Sequence, residues 1–407
     1  MKRSEWVAVM GSLWITLFMA GLDGTIVMTL IQSIASSFQA AEKSSWLGTS
    51  YLLSVCAFSP VYGRLSDIIG RKGALLVALF FFTVGNGACG LASTMESLLV
   101  ARFVSGIGGG GLLTCASIVM TDMIPIRQRG LWQGITNVLF GTAAGLGGPV
   151  GGWINDSYGW RQAFLFQVPF LLVGGICIAL FVNIPMASNE QSLSEKLRRI
   201  DFLGSLTLVS GTTCLLLAMS FLSSDDVPFS DPKVWGLLLV SLLFGLAFIY
   251  VEARVVKEPI MPLRLLTDRS SASVCASFFV LSFTYYSFLF HFPLWFQSVR
   301  LQSAGQAGLH LLPLATTGAL GSLIAGVYMK STGKYWSFNM ISSILIVLSS
   351  FYVALWDDST SQIGEYLGLT PNGFGVSAVY TFNLSECKSL QGLRPLRRRN
   401  TKHSLNP

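Results

Sequence analysis

The feature that most constrains this chain is a series of long apolar segments that recur along almost its whole length. Each runs for roughly 19 to 25 residues, long enough for an α-helix to cross a hydrocarbon core of about 30 Å. The runs lack the alternation of β-barrel strands, so they predict membrane-spanning helices, whose backbone hydrogen bonds close within each segment. Of 407 residues, 52% are hydrophobic and 12% charged, and the mean hydropathy is +0.60. This leaves too little polar surface for a water-soluble globule.

The sequence predicts eleven clear spans and a weaker twelfth. They cover residues 7–31, 44–62, 73–93, 97–120, 130–152, 162–184, 202–222, 233–251, 272–296, 305–328, 336–356 and, less clearly, 366–384. The first span follows MKRSE as a signal peptide would, but it is too long and contains Asp23, so we expect it to remain as a helix. The fold class predicted is an all-α polytopic membrane protein.

Basic residues are unevenly distributed between alternate predicted loops. With the N-terminus inside, the inner segments carry sixteen Lys and Arg residues, whereas the outer loops carry four, Lys43, Arg161, Lys233 and Arg300. Because cytoplasmic loops retain positive charge, this split predicts a cytoplasmic N-terminus. The net charge of +7 does not indicate a nucleic-acid partner, since residues 387–407 contain six basic residues and no acidic one.

Two long inner segments, near 185–201 and 252–271, divide the predicted helices into groups. The expected domains are an N-terminal six-helix half at 1–184, a linker with two extra helices at 185–271, an incomplete C-terminal half at 272–384 and a basic polar tail at 385–407.

The stretch GRLSDIIGRK, residues 63–72, concentrates charge and glycine between two apolar runs and is predicted to form an inner loop. Gly63 and Gly70 permit a tight turn and close helix approach, and Asp67 could cap a helix or pair with a base. A short positively charged loop without further function is the alternative. The candidate conformational residues are Gly63, Arg64, Asp67, Gly70, Arg71 and Lys72.

This stretch resembles the loop motif of the major facilitator superfamily, and the chain is similar in particular to its fungal drug:proton antiporter branch with fourteen helices. LDGTIV, with Asp23, resembles the first-helix signature, and ARFVSGIGGGG, with Arg102, Gly106 and Gly108, resembles the fourth-helix motif. GTAAGLGGPVGGW resembles the antiporter motif of the fifth helix, with proline one place later than in the family. Its candidate residues are Gly147, Gly148, Pro149, Gly151 and Gly152.

Asp23 and Arg102 are ionisable groups inside predicted spans, where a charge costs several kcal/mol unless it has a partner or faces a cavity. Both are expected near the outer ends of their helices, where they could face one cavity. The resemblance implies that Arg102 takes part in proton coupling and that Asp23 binds substrate or proton. The alternatives are a buried hydrogen bond at a helix interface for Asp23 and an outward-reaching side chain for Arg102.

Glycines and histidines supply the other candidates. The glycines of the fourth and fifth helices form faces of small residues that allow close helix packing, and the resemblance implies that the fifth-helix motif seals the two halves against leak. His291 and His310 are candidate cavity residues that could pass protons, with simple packing as the alternative. The seven cysteines lack metal-ligand spacing, so we expect packing roles and no metal site.

The likeness covers roughly residues 5–356 and is greatest to fungal vacuolar basic amino-acid transporters. It implies a monomeric antiporter in the vacuolar membrane that exchanges lysine, arginine or histidine for protons by alternating access, without a cofactor. Multidrug efflux at the plasma membrane is the main alternative. No enzyme is expected, because GIGGGG lies within a helix and lacks the strand and Lys-Ser/Thr of a nucleotide loop.

The sequence departs from the family pattern after GFGVSAVYTFNL, where it becomes polar and basic. The resemblance implies about two more spans at that point, so the expectation is a truncated chain. A non-transporting relative is therefore a third hypothesis.

Overall fold

The computed structural model describes residues 3–182, 201–222, 231–256, 260, 267–301, 310, 312–332, 336–357 and 360–403. Within these residues every regular element is helical. The helices are α1 (Arg3–Phe38), α2 (Trp46–Ile69), α3 (Arg71–Leu91), α4 (Met95–Met123), α5 (Ile126–Tyr158), α6 (Trp160–Leu165), α7 (Gln167–Phe181), α8 (Phe202–Leu222), α9 (Pro232–Tyr250), α10 (Arg269–Ser298), α11 (Leu312–Thr332), α12 (Trp336–Ala354) and α13 (Gln362–His403).

The helices follow the predicted spans in order, which confirms the all-α fold class. Among the described residues, nine segments are long and apolar enough to cross a membrane, and they lie in α1 to α4, α6 with α7, α8, α9, α10 and α12. The predicted spans 130–152, 305–328 and 366–384 coincide with α5, α11 and α13, which are not among these nine. The backbone of α13 continues to His403, through most of the stretch predicted as a polar tail.

Two helix starts illustrate how local sequence positions these elements. Asp231 precedes α9, its carboxylate accepts a hydrogen bond from the backbone N–H of Lys233 at 2.8 Å, and Pro232 occupies the first helical position. Asp268 caps α10 in the same way, accepting from the backbone N–H of Ser271 at 3.4 Å. These carboxylates satisfy amide groups that lack a partner within the helix.

The contacts divide the chain into two compact units, Met1–Met120 with Leu146–Leu263, and Thr121–Gly145 with Arg264–Pro407. In the first unit α7 packs against α1 and α3, while α2 packs against α3 and α8. The pair α8 and α9 belongs to this unit. The four-part division expected from the sequence stays a prediction.

Helix α13 is the central element of the second unit and packs against α10, α11 and α12. Its Leu369, Val376, Val379 and Phe382 are buried and follow helical spacing. Leu369 packs with the aromatic residues of α10, and Phe382 packs with α11. One apolar face of α13 therefore holds this unit together.

Candidate functional site

The candidate site lies in the first unit, where α1, α4 and α7 bring polar groups together. Arg102 on α4 donates from Nη1 to Oδ2 of Asp23 on α1 at 2.9 Å. The exposed fractions of the two side chains are 1% and 0%. The two charges therefore form a buried ion pair, which is neutral as a unit and so tolerable within a membrane span.

Further side chains extend the ion pair into a network. Gln167, the first residue of α7, donates from Nε2 to Oδ1 of Asp23 at 3.3 Å, and Asn86 on α3 donates to Oε1 of Gln167 at 3.4 Å. The guanidinium of Arg102 lies 4.4 Å from the ring centre of Tyr51, within cation–π range. Asp23 is thus held by a cation on one oxygen and an amide on the other.

The structure shows where these two side chains lie, but it does not test their predicted roles. Arg102 does not reach outward, because its side chain is buried and bonded to Asp23. Asp23 makes a buried contact between helices, and the expectation that both side chains face an open cavity is wrong for this conformation. Their roles in coupling and in substrate binding stay predictions.

The candidate glycines of α4 allow neighbouring backbones to approach closely. A Cβ atom on Gly106 would overlap the Tyr51 carbonyl and Ser54 of α2, and one on Gly108 would overlap the backbone of α3 at Ala78 and Phe82. Packing of this kind, rather than a hydrophobic effect, drives helix association in lipid. The glycines of α4 therefore set the positions of α2 and α3.

The fifth-helix motif divides into packed and open positions. A Cβ on Gly147 would overlap Thr25 and lie 2.8 Å from the Leu22 carbonyl of α1, and one on Gly151 would lie 3.3 Å from Ile26. By contrast, Gly148 has only an ordinary contact at 3.5 Å with Thr29, and Gly152 has no atom within 4 Å. Helix α5 runs through Pro149. Gly147 and Gly151 thus form the face that packs on α1, and the sealing role stays a prediction.

The stretch GRLSDIIGRK is helical almost throughout, so its prediction as a loop is wrong. Residues 63–69 belong to α2, residues 71–72 begin α3, and only Gly70 stands between the helices. Gly63 lies within α2, and a Cβ atom added there would lie 3.9 Å from the Thr114 side chain of α4. The tight turn itself is confirmed at Gly70, whose φ of +95° and ψ of 156° fall in a region essentially restricted to glycine.

The charges of this stretch pair across the turn. Asp67 near the end of α2 accepts from Arg71 at the start of α3 at 2.5 Å, and Arg64 lies 3.8 Å away from the same carboxylate. Arg71 also donates to the Ser66 hydroxyl at 3.1 Å. Asp67 therefore pairs with bases and does not cap α3, which was its other predicted role. Because Asp67 is half exposed, the pair contributes about 1 kcal/mol at most.

We expect Gly70→Ala to destabilise the protein by about 1–3 kcal/mol, because an alanine at this φ and ψ is strained. The matched control is Gly73→Ala, one turn further along α3. Its added Cβ would lie 3.4 Å from the flexible Ile69 side chain, an ordinary contact. Thermal unfolding in detergent would compare the two variants, and equal melting temperatures would contradict the assigned role of Gly70.

The candidate histidines, His291 and His310, belong to the second unit, whereas the Asp23 network belongs to the first. His291 is on α10 with Nδ1 2.8 Å from the Ser287 carbonyl. It contributes to an open groove of about 820 Å³ on this helix, lined also by Cys275, Phe278, Phe279, Ser282, Phe283, Tyr286 and Ser287. His310 precedes α11 and is buried, with its ring between Phe296 and Tyr366.

Sequence reasoning missed the partners of the buried charges. Gln167 and Asn86 are uncharged, so the cost of a charge within a span does not identify them, although the glutamine within the apolar run FLFQVPFLLV is a signal of a buried polar contact. Glu365 lies one residue before the predicted span 366–384, outside every predicted helix, so the sequence did not mark it as a buried charge. In the part of the chain that the structure describes, no group of three His, Cys, Asp or Glu residues could hold a metal ion.

Comparison with known proteins shows the family to which the chain belongs. Residues 13–388 match the family pattern of the Major Facilitator Superfamily. The chain is 39% identical over 333 residues to "Multidrug resistance protein fnx1" of Schizosaccharomyces pombe, covering 82% of this chain and 62% of that protein. It is 35% identical over 376 residues to "Vacuolar membrane amino acid uptake transporter fnx2" of the same organism, covering 91% and 64%. The chain thus spans less than two thirds of the length of either relative.

The fold is similar to that of a solved membrane-protein structure. The proton:xylose symporter XylE superposes with a TM-score of 0.63 at 14% identity, covering 98% of this chain and 90% of that one. The long apolar helices and the family match identify an integral, multi-pass membrane protein. The chain belongs to the major facilitator superfamily, a family of membrane transporters.

Proposed function

We propose that this protein is a proton-coupled antiporter that moves basic amino acids into the vacuole by alternating access, with the N-terminus in the cytoplasm. The observation that carries the proposal is the buried Asp23–Arg102 ion pair. The likeness to a relative named as a vacuolar membrane amino acid uptake transporter supports the substrate class and the membrane.

The ion pair offers a physical route to antiport. In this conformation the guanidinium of Arg102 is hydrogen-bonded to the Asp23 carboxylate. A lysine or arginine substrate carries a cationic group able to make the same charge-assisted contact. A proton on Asp23 removes the negative charge that either cation requires. Proton and cationic substrate therefore compete for one carboxylate, and a proton bound from an acidic lumen would release the substrate there.

The test is uptake of labelled lysine into vesicles that contain the protein and have an acidic interior. We expect uptake that exceeds that of vesicles without the protein and that falls to their level when an uncoupler collapses the gradient, because the proton supplies the driving force. Labelled leucine serves as the neutral control. Lysine uptake that persists after the gradient has been collapsed would contradict proton coupling.

Multidrug efflux at the plasma membrane is a second candidate function. It is supported by the 39% identity to a multidrug resistance protein and by the groove on α10, whose aromatic rings suit a planar apolar ligand. Efflux of a fluorescent drug without lysine uptake, from a tagged protein at the plasma membrane, would favour this candidate. Absence of both activities in membrane-inserted protein would favour a non-transporting relative.

A further inference from the structure

A second group of buried charges lies in the second unit, between the end of α10 and the start of α13. Arg300, two residues after α10, donates from Nη2 to Oε1 of Glu365 at 2.6 Å and to the Thr360 carbonyl at 2.6 Å. His310 turns its Nδ1 toward the other carboxylate oxygen, Oε2, at 3.9 Å. The carboxylate thus faces a bound cation on one side and an imidazole just beyond hydrogen-bond distance on the other.

Aromatic rings enclose His310 on both faces. The imidazole stacks on Phe296 with 4.0 Å between ring centres and on Tyr366 with 4.7 Å, at interplanar angles of 19° and 11°. His310 is 4% exposed, and Phe296 is completely buried. Aromatic faces stabilise a cation above them, so this sandwich favours an imidazolium as well as holding the ring in place.

Burial of His310 and the charges around it determine how the ring responds to pH. Burial has the largest effect and disfavours the protonated ring, the carboxylate of Glu365 favours it, and the guanidinium of Arg300 opposes it, so the pKa of His310 is lowered and the ring takes up its proton only in acidic solution. Tyr366 on α13 is the titratable group stacked on the ring, and the Asp357 carbonyl accepts a hydrogen bond from the backbone N–H of Thr360, whose own carbonyl binds Arg300. The Arg300 side chain is 22% exposed, so the cluster reaches the protein surface.

We propose that His310 is a proton-binding site separate from Asp23, whose protonated form closes onto Glu365. The ring takes one proton from water and becomes an imidazolium with an N–H on both nitrogens. Nδ1–H then donates to Oε2 of Glu365, while Oε1 remains bound to Arg300. With the proton bound, His310 just before α11 and Arg300 just after α10 both contact Glu365 in the first turn of α13. Loss of the proton breaks the contact of His310 and leaves that of Arg300.

The site has a place in the proposed antiport, and in this respect it rests on the proposed function. The loops that contain Arg300 and Glu365 are both predicted to lie on the non-cytoplasmic side, which is the acidic side in a vacuole. His310 would therefore be held against Glu365 when the lumen is acidic.

The protein contains three histidines, so ring carbon resonances of isotopically labelled histidine can be followed one by one in lipid nanodiscs. His310→Gln assigns the resonance, and a pH titration gives its midpoint. We expect Glu365→Gln to move the titration midpoint of His310 to lower pH and Arg300→Gln to move it to higher pH. In each variant the midpoint of His291 should move less than that of His310. Glu96→Gln, which changes an exposed carboxylate paired with Lys43 in the first unit, is the control and should leave the His310 midpoint unchanged.

The opposite directions of the two shifts keep the test independent of folding. If the two variants merely unfolded, the His310 midpoint would move to the same ordinary value in both of them. A wild-type His310 resonance that stays constant between about pH 4 and pH 8 would overturn the proposal, as would shifts in the same direction in both variants. The measurement needs no transport. Lysine uptake without His310 titration would therefore overturn the site alone, whereas titration as expected without any uptake would support the site and contradict the proposed function.

Discussion

We expect Asp23→Asn to abolish proton-coupled lysine uptake and to lower the free energy of unfolding by about 3–5 kcal/mol. The substitution keeps the shape of the side chain but leaves the guanidinium of Arg102 buried without its counter-ion. The remaining bonds of Arg102 are weaker, since its contacts with the Leu47 carbonyl and the Ser105 hydroxyl are 3.5 and 3.4 Å long. Denaturant unfolding of purified protein and uptake into vesicles would measure the two effects.

The double variant Asp23→Asn with Arg102→Gln separates stability from coupling. It removes both charges, so it leaves no buried ion and should recover most of the stability lost in the single variant. Uptake should remain absent, because no carboxylate is left for proton and substrate to share. Glu96→Gln breaks the exposed pair with Lys43 and should alter neither property. Full uptake by the double variant would show that the pair serves packing alone.

The second large effect is expected at Gly108, where we predict that Gly108→Ala destabilises the first unit by about 3 kcal/mol or more. The added methyl group would overlap backbone atoms of α3 at Ala78 and Phe82, which cannot rotate away as a side chain could. Helices α3 and α4 would have to separate, and the wall of buried groups around Arg102 would open. Denaturant unfolding and the fraction of monodisperse protein after extraction would report the change.

The matched control is Gly87→Ala on α3, where no atom lies within 4 Å of the added carbon. Alanine is the better helix former, so this variant should be neutral or more stable by up to about 1 kcal/mol. Within the fifth-helix motif the same contrast separates Gly147 from Gly152. If Gly108→Ala were as stable as Gly87→Ala, the close approach of α3 and α4 would have no energetic importance.

Much of the fold could be predicted from sequence, because the cost of exposing a backbone in lipid makes long apolar runs helical. The placement of α1 to α4 and α8 to α10 follows from that rule. The rule fails at residues 63–69, where charge and glycine suggested a loop and the structure has helix. Charged residues are compatible with a helix that extends beyond the hydrocarbon core, so composition locates the membrane boundary and not the end of the helix.

The candidate site was predicted only in part. Asp23 and Arg102 were recognisable because each is an ionisable residue within an apolar span. Their contact joins positions 79 residues apart, and no local pattern predicts which face of α1 meets which face of α4. The hydrogen bond from Gln167 to Asp23 joins positions 144 residues apart and involves an uncharged side chain, so it was even harder to predict from the sequence.

By itself, the sequence determined that this protein is a bundle of membrane helices and carries the motifs of the major facilitator superfamily. Hydropathy and motif spacing are local properties that can be read along the chain. Only the tertiary structure decided that Asp23 and Arg102 neutralise each other, that Gly147 packs while Gly152 does not, and that His310 faces Glu365. These outcomes depend on distances of a few ångströms between residues far apart in sequence, where packing and desolvation set the energy.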